Sequence, residues 1–186
     1  PIGLIPAALG GSPLSAWTRH KKHNPGGGVL FDNMLRYATD AGIRTTGPQT
    51  RGGTKAAGAR AAAVRGVVWY QGESDAGAQQ RRVYARNFRH FVADLRASFG
   101  DRELPVITVQ LNRVVSEPSV EGDAGWDGMR EIQRRLARSM RNVFLIPTMD
   151  LNLSDSIHTN SLGNVTIGQR AAATALGGIF ERDVKF

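Results

Sequence analysis

Three short runs of nearly uninterrupted apolar residues constrain this chain more than any other feature. They are Gly66-Val67-Val68-Trp69-Tyr70, residues 104–111 (LPVITVQL) and residues 143–151 (VFLIPTMDL). A strand with one wet face alternates polar and apolar residues, whereas a strand covered on both faces does not. Helical patterns fill the gaps between these runs. Tyr84, Phe88, Phe91, Val92, Leu95 and Phe99 make one apolar stripe, with arginines opposite and Gly100 as a stop. Met129, Ile132, Leu136 and Met140 mark a helix over about 125–141, and Leu30, Met34, Leu35, Ala38 and Ala41 another over 29–41. A terminal helix, with Leu162, Val165, Ala172, Leu176 and Phe180 as core contacts, follows a polar loop at 152–160. Residues 2–5 read as a further strand that leaves into the loop 6–13, and Pro147 weakens the tail of the 143–151 run. The segment 42–63 reads as a connection whose Ala-rich end turns helical. This alternation predicts an α/β fold, a parallel sheet with helices on both faces, in a single domain over 1–186.

Composition narrows the function classes. Lysine stands only at 21, 22, 55 and 185, so arginine supplies 20 of the 24 basic residues behind the net charge of +8. The arginines are scattered over predicted polar helix faces instead of being gathered into a stripe with interleaved aromatics, so nucleic acid is not the expected partner. No apolar run approaches the roughly 18 residues that cross a bilayer. The absence of cysteine excludes a disulfide framework and any Cys-ligated metal. His20, His23 and His90 have no metal-ligand arrangement, and the Gly-rich segments at 26–28 and 52–53 match neither a phosphate loop nor a dinucleotide fingerprint. No metal and no cofactor are expected.

Strand exits of an open parallel sheet share one edge, where ligands bind. The predicted exits carry Gly10-Gly11-Ser12, Gln71-Gly72-Glu73-Ser74-Asp75, Asn112-Arg113 and Asp155-Ser156-Ile157-His158. Asp155 and His158, three apart in one loop, are the sharpest pair. A carboxylate on the near ring nitrogen fixes the tautomer and leaves the far nitrogen to take a proton. The competing account makes Asp155 a helix cap beside an ordinary exposed histidine. Gly10 and Gly11 suit a backbone amide turned toward an anion, or an ordinary turn. Gln71-Gly72-Glu73 offers amide donors at a strand end, and Glu73 either orients neighbours or forms an ion pair. The stretch 72–76 approximates a nucleophile elbow without its final glycine, so Ser74 is a poor candidate nucleophile.

Taken in order, these segments resemble the sialate O-acetylesterase domain family, a branch of the SGNH-type hydrolases that includes carbohydrate and xylan acetylesterases. The residues that carry the resemblance are Pro1-Ile2-Gly3-Leu4-Ile5 with Gly10-Gly11-Ser12-Pro13 and Ala16-Trp17, then Arg65 through Asp75 (RGVVWYQGESD). Leu104-Pro105 through Leu111, Trp126 with Arg130, Glu131 and Gln133, and Asp155-Ser156-Ile157-His158 complete them. The resemblance implies a three-layer α/β/α domain with a mostly parallel, flavodoxin-like sheet. It implies removal of acetyl groups from sugar hydroxyls by Ser, His and Asp, with His158 as general base and Asp155 its orienter. Gly11 and Gln71 would help form the oxyanion hole, Glu73 would support that block, and Trp17 and Arg113 would wall the substrate, with the core as the alternative place for Trp17. The family's nucleophile lies in an upstream Gly-Gln-Ser block that 1–186 does not contain, and neither Ser12 nor Ser74 inherits its role. The expectation is therefore a chain incomplete at its N-terminus, lacking the first strand and nucleophile loop and inactive alone. Export, as in relatives, is the compartment the resemblance suggests. The competing function classes are a non-hydrolytic carbohydrate-binding domain on the same fold and, further behind, an Arg-rich nucleic-acid-binding domain.

Overall fold

The computed structural model describes residues 2–19, 28–45, 63–115 and 120–182. His20, His23, the glycines at 26, 27, 52 and 53 and the predicted helical end of 42–63 lie outside the described residues. Three parallel strands, β1 (Val67–Tyr70), β2 (Val106–Val109) and β3 (Val143–Ile146), form one sheet in the order β1-β2-β3. The register pairs Val67 with Val106 and Val106 with Val143. Four α-helices accompany them: α1 (Val29–Asp40), α2 (Ala78–Phe99), α3 (Val120–Ser139) and α4 (Ser161–Gly178).

β2 is buried at every position, which explains its unbroken apolar run. One sheet face carries the larger core, in which Trp69, Val106 and Val143 pack with Phe31 and Leu35 of α1, the Tyr84–Leu95 stripe of α2, and Met129 and Leu136 of α3. The other face is covered by α4 over β2 and β3, with Ile107, Val109, Ile146, Leu151 and Ile167 buried together. The strands are shorter than their apolar runs. Leu104 and Leu111 flank β2 and are fully buried without belonging to the ladder. β3 stops before Pro147, which has no N–H to give.

Two expectations are corrected. Residues 2–5 form no strand: they pair with no neighbour among the described residues, and Leu4 is 90% exposed. The buried face of α4 is also not the predicted one. Leu162, Val165, Ala172 and Leu176 face solvent, whereas Gly163, Ile167, Ala171, Ala175 and Ile179 pack inward. Small residues let this helix lie close to the sheet: a Cβ on Gly178 would meet the Phe144 ring at 2.8 Å. β1 is an edge strand of the described sheet, and its Val68 and Tyr70 face is largely open.

Candidate active site

The strand exits do converge. After β1 the chain turns through Gly72, whose φ of 153° lies in the region that favours glycine. A Cβ there would also lie 3.0 Å from Gln133 Nε2. The turn continues into a 3₁₀ segment, Glu73–Asp75. The Gly10–Leu14 loop docks on this turn through three bonds. Ser74 Oγ donates to the Gly11 carbonyl (2.9 Å), Gln71 Nε2 to the Ser12 carbonyl (3.2 Å), and the Leu14 N–H to Asp75 Oδ2 (2.7 Å).

Beneath the turn lies a buried polar network. Gln71 Nε2 also donates to Asp75 Oδ2 at 2.6 Å, and the Tyr84 hydroxyl approaches Gln71 Oε1 at 3.3 Å. Gln133 of α3 donates to the Gln71 carbonyl (3.0 Å) and accepts from the Leu111 N–H (2.9 Å), tying the exits of β1 and β2 together. Burial pushes the Tyr84 phenol far above its ordinary pKa, so it stays a donor. The Gln71 side chain is thus committed to structure, and any donor this turn presents to a ligand comes from its backbone.

The loop after β3 is a closed excursion. Leu153 bridges Thr159, the Ser154 N–H donates to the His158 carbonyl (2.8 Å), and the Asn160 N–H to the Asn152 carbonyl (2.9 Å). Within it, Asp155 Oδ1 accepts the backbone N–H groups of Ile157 (2.9 Å) and His158 (2.8 Å), while Oδ2 meets His158 Nδ1 at 2.7 Å. Those two amides, then the ring, hold the Asp155 carboxyl at a pKa of about 2. The His158 side chain is 71% exposed, so Nε2 is open to an approaching group. Asp155 does not cap α4. That role belongs to Asn160, whose Oδ1 accepts from the Gly163 N–H at 2.8 Å.

Thr159, next to His158, connects this loop to the other exits: its Oγ1 accepts from Asn112 Nδ2 (3.0 Å) and contacts the Tyr70 hydroxyl (3.1 Å). The Val115 N–H donates to the Ser156 carbonyl at 2.7 Å. Arg113 Nη1 donates to the carbonyls of Met149 (3.1 Å) and Leu151 (3.0 Å), strapping the β2 exit to the β3 exit. Trp17 is a core residue and not a wall. It is 5% exposed, sits edge-on to Trp69 with ring centroids 5.4 Å apart, and donates from Nε1 to Ser12 Oγ. Glu73 is exposed, and Ser12 Oγ donates to the Leu9 carbonyl. The structure therefore joins the Gly10–Leu14 loop directly to the turn after β1, through Ser74–Gly11 and Gln71–Ser12, and ties the His158 loop to the β1 and β2 exits through Thr159. Sequence reasoning set Asp75 and Asn112 at strand exits, Tyr84 on the apolar stripe of α2 and Gln133 among the residues of the resemblance, but gave none of them, nor Thr159, a part in this network. A polar residue at a core position, such as Gln133 on the apolar stripe of α3, was the available signal.

This is an α/β fold whose strand exits carry an Asp–His couple and glycine-bearing turns. Residues 1–177 match the family model described as "Carbohydrate esterase, sialic acid-specific acetylesterase", and the chain belongs to this family. A probable carbohydrate esterase of Arabidopsis thaliana is 28% identical over 177 residues, which is 94% of this chain and 55% of the relative. The chain thus spans about half the length of this curated relative. Two solved structures share the fold. An Arabidopsis thaliana protein aligns with a TM-score of 0.67 at 24% identity over 91% of this chain and 58% of its own. A carbohydrate acetylesterase of Xanthomonas citri aligns with a TM-score of 0.65 at 23% identity over 94% of this chain and 36% of its own.

Proposed function

We propose that this chain supplies the base and oxyanion-binding parts of a carbohydrate O-acetylesterase, with a serine from a segment outside 1–186 as nucleophile. The observation that carries the reading is the Asp155–His158 couple. Both carboxylate oxygens are used, one on the loop backbone and one on Nδ1, and Nε2 is left free. A carboxylate on Nδ1 favours the tautomer a general base needs. In the proposed reaction the serine attacks the acetyl carbonyl of a sugar ester while His158 Nε2 takes its proton. Asp155 stabilises the imidazolium that forms. Backbone N–H groups of the Gly11 and Gln71 turns hold the oxyanion. The imidazolium then protonates the departing sugar oxygen, and water activated by His158 releases acetate from the acyl-enzyme.

The serine is placed outside 1–186 because Ser12 and Ser74, the serines of the Gly11 loop and the Gln71 turn, donate to the carbonyls of Leu9 and Gly11. The open flank of β1 supports the same assignment. β1 is an edge strand of the described sheet, and a further strand laid along it would bring its own exit loop beside Gln71.

The test uses the full-length polypeptide. It should release acetate from an acetylated sugar and give a burst of p-nitrophenol from p-nitrophenyl acetate. His158→Ala should lose most of that turnover while melting within a few degrees of the parent. A parent with no esterase activity, or a His158→Ala variant at the parental rate, defeats the reading. Sugar binding without hydrolysis would point instead to a binding domain.

A further inference from the structure

We infer that Thr159 is a positioning residue for His158, acting through the hydroxyl of Tyr70 and the amide of Asn112. The inference rests on the proposed role of His158 as base.

Successive residues of an extended segment point to opposite sides. Thr159 is the bridged partner of Leu153 and is 7% exposed, whereas the side chain of His158, one residue earlier, is 71% exposed. Anchoring Thr159 inward therefore dictates the side on which the imidazole emerges. The anchor has three contacts from three elements. Asn112 at the β2 exit, itself 1% exposed, donates from Nδ2 to Thr159 Oγ1 (3.0 Å) and to the Leu151 carbonyl (3.3 Å). Tyr70, the last residue of β1, meets the same Oγ1 at 3.1 Å. The Thr159 methyl lies against Gly163 in the first turn of α4, where a Cβ would come within 2.4 Å of Cγ2.

Tyr70 immediately precedes the Gln71 turn. The Tyr70–Thr159 contact is thus a two-hydroxyl spacer between the turn assigned to the oxyanion and the loop that carries the base. Asp155 acts differently: it fixes the imidazole within its own loop, whereas Thr159 fixes that loop to the sheet. A loop intact in itself but displaced by an ångström loses the alignment of base, nucleophile and oxyanion turn, and losses of about 100-fold follow from errors of that size.

The test compares Thr159→Val, which keeps shape and removes the hydroxyl, with Thr159→Ser, which keeps the hydroxyl and removes the methyl. In the full-length polypeptide, Thr159→Val should lower kcat about 10- to 100-fold with KM within about twofold. It should also speed hydrogen exchange at the Ser154 and His158 amides. Thr159→Ser should restore most of the rate, and Tyr70→Phe, at a half-exposed ring, should follow Thr159→Val in direction without endangering the fold. Parental kcat in Thr159→Val, or equal losses in the Val and Ser variants, overturns the hydroxyl anchor. Unchanged exchange in Thr159→Val overturns it whatever the activity. Faster exchange in Thr159→Val, alongside full activity in His158→Ala, would keep the anchor of the loop and discard His158 as the base.

Discussion

Replacing Gln133 by methionine isolates what the buried network contributes. The side chains have similar length and volume, so the change removes two hydrogen bonds without opening a cavity. The Leu111 N–H is fully buried and gives its bond to Gln133 Oε1; orphaning such a group costs about 1–3 kcal/mol. The Gln71 carbonyl loses Gln133 Nε2 but keeps the Tyr84 hydroxyl at 3.4 Å, a long contact, so its share is about 1 kcal/mol. The expected loss is about 2–4 kcal/mol, a large fraction of the roughly 5–15 kcal/mol that holds a typical domain together. For a chain of this size, each kcal/mol moves Tm by about 2–4 °C, so the midpoint should fall by about 4–16 °C. Urea unfolding followed by tryptophan fluorescence measures the free energy directly, and an unchanged m-value assigns the loss to stability and not to an altered denatured state. A change below about 0.5 kcal/mol would refute the reasoning, because the two backbone groups would then have found partners elsewhere.

Two further outcomes follow from the loop after β3. Asp155 is held at a pKa of about 2 against an ordinary 3.8, so any stability linked to it is complete above the ordinary value and fades as pH falls through about 2. A carbon-detected NMR titration of its carboxyl should show that low midpoint, and a midpoint near the ordinary value would remove the two backbone N–H bonds from the account. Asn160→Ala deletes the cap on the Gly163 N–H and should cost about 0.5–2 kcal/mol in thermal or urea unfolding, with Asn160→Asp keeping most of it. Equal stability of the Ala variant would mean that α4 does not depend on its cap.

Burial was legible in the sequence where strand pairing was not. The runs at 104–111 and 143–151 mark the depth of the chain in the core, and Leu104 and Leu111 are apolar because they are buried. Only four residues of each run join the ladder. The stripe of α2 was unambiguous because large side chains alone defined it. In α4 the same reasoning picked the wrong face, since glycine and alanine at 163, 171, 175 and 178 carry no periodic signal, yet they let the helix pack closely on the sheet and on the loop before it. The error has one physical source: periodicity weights size, whereas close packing also needs its absence. Residues 2–5 failed for a related reason. Apolar character makes a strand only where a neighbouring strand is present to pair with it, and among the described residues these have none.

The candidate site divides along the same line between local and distant. Asp155 and His158 were readable because their contact is three residues long, as was the turn at Gln71 because it ends a strand. The groups that hold these pieces in register were not, since Gln133 reaches Gln71 across 62 residues and Tyr70 reaches Thr159 across 89. No spacing rule spans such distances. One inference was nevertheless available: a glutamine on the apolar stripe of α3, between Met129 and Leu136, cannot be buried without partners for both ends of its amide. Strand exits are the places in an α/β fold where backbone groups leave the ladder and need such partners. A buried amide on a covering helix therefore points to the strand ends it satisfies, and so to the site those ends build.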